Sequence, residues 1–253
     1  MTNTDIATGK YDTPQSVTVL PQTPQLLTLL TILRDTRTSA VQFALNANRV
    51  ARQLVSEALN HVPTETVEIT TPTGSTYLGC TPARAVCGIS ILRAGASLEQ
   101  ALRDCWSGSL SFGKILIQRD ETTCLPAHLY SKYPQNLKSK GKLSHLPCFP
   151  ERYLLFKLIL VFGKIKVVLL LEPMLATGGS ACLAIELITA QGVPEENIIF
   201  VNFVASRQGI DVVTRRFPRL AIVTAAIDEK MNEKSHVVPG LGDFGDRFYG
   251  TEE

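Results

Sequence analysis

Residues 166–187 read KVVLLLEPMLATGGSACLAIEL, and this stretch decides the fold. Its apolar run ends at Glu172 and indicates a strand buried on both faces, as in a parallel sheet. A loop through Thr177, Gly178, Gly179 and Ser180 follows, and a helix begins at once. Paired glycines let the backbone approach a ligand, and free N–H groups at a helix start attract phosphate. The stretch therefore predicts a phosphate site; the alternative is a tight turn with a serine cap and no ligand.

The same alternation of strands and helices extends to both sides of this stretch. Helices are predicted at 25–33 and at about 41–59, from leucine, valine and alanine residues at helical spacing. Further on, the apolar segments VCGISILRAG, GKILIQRDE, NIIFVNFVAS and LAIVTAAID read as strands, separated by the helical patterns SLEQALRDCW and GIDVVTRRFP. This order predicts an α/β fold with a mostly parallel sheet covered on both sides.

Composition and charge narrow the class of protein. The chain has 253 residues, 45% hydrophobic and 19% charged, which excludes disorder, collagen and coiled coil. The net charge of +2 argues against non-specific attraction to nucleic acid or a membrane surface. We expect a polar tail over 1–16 and a single domain over 17–253.

The cysteines and the N-terminal sequence predict the compartment. The six cysteines never fall at C-x-x-C spacing, and the start MTNTDIATGK carries no apolar secretory core. We therefore expect reduced thiols in a cytoplasmic protein and no structural zinc site.

Two phosphate-binding motifs are missing from the sequence. Neither Gly-x-x-x-x-Gly-Lys-[Ser/Thr] nor Gly-x-Gly-x-x-Gly occurs, which argues against nucleotide hydrolysis and dinucleotide binding. What remains is a ligand with sugar hydroxyls for Glu172 and a monophosphate for the loop, and a phosphoribosyl group has both.

Several long motifs carry a resemblance to a known family. The stretch LLEPMLATGGSA resembles the phosphoribosyl-pyrophosphate (PRPP) loop of the phosphoribosyltransferases. Together with PQTPQLLTLLTILRD, LRAGASLEQALRD, GKILIQRDETT and VPGLGDFGDRFYGT, it makes the chain similar to the eukaryotic-type uracil phosphoribosyltransferases over roughly 18–135 and 166–251.

The resemblance implies a fold, a reaction and partners. The fold is the type I phosphoribosyltransferase α/β fold, a mostly parallel central sheet flanked by helices with a small hood. The reaction makes UMP and pyrophosphate from uracil and PRPP, with Mg²⁺ bound through PRPP and water rather than directly by the protein. GTP is a possible allosteric activator, and a homodimer or homotetramer is expected, with no nucleic-acid or membrane partner.

The resemblance also implies roles for individual residues around PRPP. Arg93 and Arg119 match the arginines at the pyrophosphate, where a guanidinium can fork onto two phosphate oxygens. Asp243 matches a carboxylate beside PRPP and its metal-bound water, and Asp243 and Arg119 are the candidate catalytic residues. The other expected PRPP contacts are Glu172, Ala176, Thr177, Gly178, Gly179 and Ser180.

Uracil is neutral, so backbone groups on a glycine-rich loop suit its carbonyl and N–H edges better than charged side chains. By resemblance, the expected uracil contacts are Met174, Ala176, His236, Val237, Gly242, Asp243 and Phe244. Asp243 is also the nearest matching carboxylate to accept the N1 proton, a hypothesis that its replacement by asparagine tests.

Some positions depart from the family pattern. Ala96 replaces a common glutamate, Glu172 replaces an aspartate, and His236 stands where a tyrosine is usual. The remaining histidines, His61, His128 and His145, have no companion acid or cysteine at ligand spacing, and we expect no functional role for them.

Residues 136–165 form an atypical insertion. Its apolar run YLLFKLILVF is broken by Lys157, and further lysines follow, so it is too short for a membrane span. It is interpreted either as a surface loop that leaves the next strand in place or as an unspliced intron or faulty gene model.

Two other functions remain open from the sequence. A catalytically impaired protein of the same fold could bind PRPP or UMP as a regulatory or partner subunit. A fragment of a uridine-kinase fusion is the third possibility, but the missing Walker-type loop speaks against kinase activity.

Overall fold

The computed structural model describes residues 14–119, 126–134, 137, 166–233 and 235–251. Its main sheet has the order β1-β10-β9-β7-β4-β5-β6, and β8 pairs with β9. All neighbouring strands are parallel except β5 and β6. The bounds of these strands are β1 Val17–Val19, β4 Val86–Leu92, β5 Leu110–Arg119, β6 Pro126–Lys132, β7 Val167–Leu171, β8 Met174–Leu175, β9 Ile198–Ser206 and β10 Ala221–Asp228.

The central strands are buried along their whole length. Every residue of β7 and β9 is buried, and β4 is buried except at its last residue. This is the pattern of a parallel sheet covered on both faces, so the predicted α/β fold is confirmed.

The helices have clear starting signals. Thr23 caps the first helix by accepting a hydrogen bond from the Leu26 N–H, and Ser39 caps the second from the Gln42 N–H. The first two correspond to the helices predicted from leucine spacing. The bounds are α1 Pro24–Arg34, α2 Ala40–Leu59, α3 Glu99–Cys105, α4 Gly179–Ala190, α5 Arg207–Arg216 and α6 Phe244–Tyr249, with a 3₁₀ turn over Ala94–Leu98 before α3.

The helices divide between the two faces of the sheet. Residues of α1, α2 and α3 join one hydrophobic cluster, and residues of α4 and α5 join the other. The chain leaves β4 through α3 towards β5, but leaves β7 through α4 towards β9, in the opposite direction. Adjacent strands whose connections diverge in this way open a crevice at their carboxyl ends, where α/β sheets bind ligands.

Two small antiparallel pairs lie outside the main sheet. One is the hairpin of β2 Thr64–Thr70 and β3 Thr76–Pro82, and the other pairs β11 Lys230–Met231 with β12 Val237–Val238. Strand β6 was not predicted from the sequence, because its residues are mostly exposed and lack an apolar pattern.

None of the helices in the described residues is long and apolar enough to cross a membrane. The atypical insertion 136–165 lies outside the described residues apart from Leu137, which is buried. Strand β7 directly follows it and lies between β4 and β9 at the centre of the sheet.

Candidate active site

A cavity of about 400 Å³ opens at the carboxyl ends of β4 and β7. Three segments line it together with Ile117 of β5: the end of β4 and the turn after it, the 172–181 segment after β7, and the 235–245 segment, which runs into α6. Every predicted site residue whose side chain the structure describes lines this cavity: Arg93, Glu172, Met174, Ala176, Thr177, Gly178, Gly179, Ser180, His236, Val237, Gly242, Asp243 and Phe244.

The backbone of the loop after β7 depends on Gly178. This residue precedes α4 with φ of +84°, a conformation that favours glycine. A Cβ there would lie 3.1 Å from Cγ1 of Val212 and 3.3 Å from the Gly209 carbonyl oxygen. The N-cap residue Gly178 makes no side-chain cap, and the Thr177 hydroxyl accepts from the Gly179 N–H at 3.5 Å. A helix start with so little side-chain capping suits an anion.

Helix α5 and its N-cap residue, Ser206, contact this loop. These contacts were not predicted from the sequence. The Ser206 hydroxyl donates to the Ala176 carbonyl oxygen at 2.5 Å and accepts from the Gly209 N–H at 2.9 Å. A Cβ on Gly209 would overlap the Ala176 carbonyl oxygen. The signal in the sequence is a serine cap at the end of β9 followed three residues later by glycine.

Arg93 follows β4, and its side chain contacts Asp246 and Thr251 near the end of the described chain. Its guanidinium pairs with the Asp246 carboxylate at 2.5 Å and donates to the Thr251 hydroxyl at 3.0 Å. Hydrogen bonds from Thr251 and from Arg93 lower the pKa of the Asp246 carboxyl. The arginine predicted to bind pyrophosphate therefore has a fixed carboxylate partner at the cavity wall.

The backbone of Arg119 ends β5 and pairs with Pro126 of β6. Pro126 in turn lies against Gly179, since a Cβ on that glycine would be 3.4 Å from the proline Cγ. The main chain of Arg119 is therefore near the loop after β7, and its side chain lies outside the described residues.

The 235–245 segment lines the cavity with residues 235–237 and 242–245. Phe244 is 2% exposed, and its ring packs against Phe43 and Phe203, with ring centroids 5.2 and 4.9 Å apart. Asp243 caps α6 by accepting from the Asp246 N–H at 3.0 Å. His236 is exposed, and its backbone N–H donates to the Asn232 side chain.

A buried ion pair holds this segment on α1. Arg34 binds both carboxylate oxygens of Asp228, at 2.8 and 2.9 Å, and donates to the Gly240 carbonyl oxygen at 2.8 Å. The Gly240 N–H donates to the same carboxylate. Asp228 is 6% exposed, so the pair is shielded from water and fixes the turn before Gly242.

Replacing Asp228 by alanine is expected to lower the free energy of unfolding by about 3 kcal/mol, because Arg34 is left without its carboxylate. Urea denaturation measures this. The control is Glu196→Ala, which removes an exposed carboxylate 3.4 Å from Arg219 and is expected to cost less than about 0.5 kcal/mol. Equal losses in the two variants would contradict the structural role of Asp228.

Of the remaining histidines, His61 and His128 do not line the cavity. His61 lies 3.5 Å from the Thr18 hydroxyl, and His128 is exposed on β6 opposite Ile117. His145 lies outside the described residues. Among the described residues, no group of three or more His, Cys, Asp or Glu side chains could hold a metal ion.

Comparisons with known proteins give a consistent result. The family model described as uracil phosphoribosyltransferase matches residues 19–251. Uracil phosphoribosyltransferase 2 of Schizosaccharomyces pombe is 43% identical, covering 94% of this chain and 96% of its own. The uracil phosphoribosyltransferase of Dictyostelium discoideum is 42% identical, covering 95% and 99%. The solved structure of the AQ2163 protein from Aquifex aeolicus superposes with a TM-score of 0.73 at 25% identity, covering 93% and 99%.

Proposed function

Because the chain belongs to the uracil phosphoribosyltransferase family, we propose that it converts uracil and PRPP to UMP and pyrophosphate in the cavity at the ends of β4 and β7. One observation carries the assignment of the site: three segments far apart in sequence bring an arginine, a phosphate-type loop and a glycine-rich segment to the same cavity. Each has the chemistry that one part of the two substrates requires.

The ribose phosphate binds at the 172–180 segment. The main chain of Ala176 to Ser180 and the start of α4 receive the 5′-phosphate, with hydroxyl donors from Thr177 and Ser180. Glu172, at the end of β7, accepts hydrogen bonds from the ribose hydroxyls. Its extra methylene relative to aspartate lengthens the reach of the carboxylate without removing it.

Uracil binds against the opposite wall of the cavity. Main-chain groups of Val237, Gly242 and Phe244 read the carbonyl and N–H edges. Phe244 lines the cavity while its ring packs against Phe43 and Phe203, which supports a main-chain role for this residue. Met174, Ala176 and His236 complete the base pocket.

The chemical step transfers the ribose from pyrophosphate to N1 of uracil. The bond from the anomeric carbon to the pyrophosphate oxygen breaks, the bond to N1 forms, and the N1 proton passes to Asp243. Arg93 and Arg119 stabilise the negative charge that develops on the departing pyrophosphate. Asp243 and Glu172 stabilise the positive charge that develops on the ribose.

When Mg²⁺ is bound, it neutralises part of the negative charge of the pyrophosphate. Oxygen ligands suit this cation, and it usually binds through one or two carboxylates together with waters and substrate phosphates. The cavity offers the carboxylates of Glu172 and Asp243, which fits a cation held mainly by PRPP and water.

Incubating the full chain with labelled uracil, PRPP and Mg²⁺ is expected to yield UMP and pyrophosphate. The control is Arg93→Ala, which removes one guanidinium from the leaving group and is expected to reduce turnover by about 100-fold or more. Binding of PRPP or UMP without turnover would show that the chain is a non-catalytic ligand-binding subunit and not an enzyme. Repeating the assay on a chain without residues 136–165 measures what that segment does to activity.

The same proposal includes self-association, regulation and location. Exposed apolar side chains on the β2–β3 hairpin, Ile69, Tyr77 and Leu78, support a homodimer or homotetramer. GTP activation follows from the family resemblance, and comparing UMP formation with and without GTP measures it. The described cysteines Cys80, Cys87, Cys105 and Cys182 are free thiols, which supports a cytoplasmic location.

A further inference from the structure

Three side chains close a ring of hydrogen bonds beside the cavity. Arg93 donates to the Asp246 carboxylate at 2.5 Å and to the Thr251 hydroxyl at 3.0 Å, and the same hydroxyl donates to Asp246 at 2.7 Å. Both hydrogen bonds to Asp246 end on its Oδ1 atom. Tyr249 also contacts Arg93. Its ring centroid lies 5.7 Å from the guanidinium carbon, and its hydroxyl donates to the Arg93 carbonyl oxygen at 3.4 Å.

The ring leaves most of the guanidinium available to a ligand. Arginine has five N–H donors, and these contacts to Asp246 and Thr251 use one on each terminal nitrogen. The Arg93 side chain is still 54% exposed and lines the cavity. Asp246 therefore orients the guanidinium without covering the donors that an anionic ligand needs.

Helix α6 connects this ring to the base side of the cavity. Asp243 caps the helix through the Asp246 N–H, so the two acidic residues occupy one turn. The helix is anchored by Arg247, which is 7% exposed and donates to the carbonyl oxygens of Leu33, Leu241 and Asp35. The carboxylate of Asp246 thus belongs to a rigid element, whereas Arg93 belongs to a turn.

We propose that Asp246 is a positioning residue for PRPP and pyrophosphate, holding the Arg93 guanidinium at the cavity wall from helix α6. The inference rests on the proposed function and adds a residue to which that function assigned no role. Pre-orienting a flexible arginine removes the cost of ordering it when the anion binds. The expected signature is weaker binding of PRPP and pyrophosphate with unchanged use of uracil.

The chain offers a closely matched control ion pair. Arg52 binds Asp104 at 2.8 Å, with side-chain exposures of 55% for Arg52 and 32% for Asp104, compared with 54% for Arg93 and 35% for Asp246. Asp104 also accepts a second hydrogen bond, from Gln100, as Asp246 does from Thr251. Hydrogen bonds from Arg52 and Gln100 lower the pKa of the Asp104 carboxyl too. The two pairs differ mainly in that Arg93 lines the cavity and Arg52 does not.

The test compares Asp246→Asn with Asp104→Asn by steady-state kinetics. Asp246→Asn is expected to raise the KM for PRPP and the inhibition constant of pyrophosphate by about tenfold, since Arg93 then donates to a neutral amide oxygen instead of a carboxylate. The KM for uracil and all constants of Asp104→Asn are expected to stay within about twofold of the starting protein, as for independent sites. An unchanged or lowered KM for PRPP in Asp246→Asn would overturn the proposal.

A double-mutant cycle separates positioning from a purely structural role. If Asp246 acts through Arg93, adding Asp246→Asn to Arg93→Ala raises the KM for PRPP by no more than about twofold. A further tenfold loss in that background would overturn the proposal. UMP formation by the unaltered protein is measured first. If the proposed function is wrong, the unaltered protein forms no UMP. If only the role of Asp246 is wrong, the unaltered protein forms UMP and Asp246→Asn has the same kinetic constants.

Discussion

Replacing Gly95 by alanine is expected to reduce kcat/KM for PRPP by at least about 100-fold, because a displacement of about 1 Å at a reacting group can cost that much. Gly95 lies in the turn after β4, where an added Cβ would overlap the Leu171 carbonyl oxygen at the end of β7 and lie 3.4 Å from the Ser90 Cα. All of these neighbours are backbone atoms, so no side-chain rotation relieves the collision. The turn that carries Arg93 must therefore move away from the strand that carries Glu172.

The Gly95 result is interpreted against Gly74→Asn. Gly74 has φ of +81° in the turn between β2 and β3, and an added Cβ there meets nothing within 4 Å. Asparagine tolerates this conformation better than most residues, so kcat/KM should stay within about twofold. Circular dichroism verifies that both variants keep the sheet. Wild-type kinetics for Gly95→Ala would mean that the close contact between the turn and β7 is dispensable.

Replacing Asp243 by asparagine is expected to lower kcat by about 100-fold with little change in melting temperature, as for loss of a general base. The reason for choosing asparagine lies in the local structure. Asp243 caps α6 through its Oδ1 atom, and asparagine caps helices as well as aspartate does. The substitution therefore removes the negative charge at the cavity while it preserves the start of the helix.

Asp243→Ala provides the structural control for this experiment. It removes both charge and cap, and is expected to lower the free energy of unfolding by about 1 kcal/mol in addition to the kinetic loss. Thermal unfolding measures the cap, and initial rates of UMP formation measure the charge. Unchanged turnover in Asp243→Asn would eliminate Asp243 as the acceptor of the uracil N1 proton.

The main elements of the fold could be predicted from the sequence because their burial is periodic or continuous. The apolar run at Val167–Leu171 is buried in full, and α2 repeats buried residues every three or four positions. Strand β6 could not be predicted in this way, since it pairs at the edge of the sheet and exposes most of its side chains. The pairing of an edge strand depends on backbone hydrogen bonds to its neighbour, and these produce little pattern in the amino-acid sequence.

The parts of the candidate site that lie in contiguous sequence motifs could be predicted from the sequence. The loop after β7, Arg93 and the stretch Gly242 to Phe244 line the cavity, and each belongs to one of the motifs that carried the family resemblance. The supporting contacts were not visible. Asp246 lies 153 residues from Arg93, and Asp228 lies 194 residues from Arg34. Such pairs depend on how the sheet and α6 bring distant turns together.

Phe244 connects the proposed base pocket to the hydrophobic interior. Its ring contacts Phe43 of α2, Phe203 of β9 and Phe248 of its own helix, and the residue also lines the cavity. An apolar substitution at Phe43 or Phe203 would shift that ring and, with it, the main chain that we propose to read the base. Discrimination among pyrimidines and heat resistance are therefore linked properties of this enzyme, and selection acting on one also alters the other.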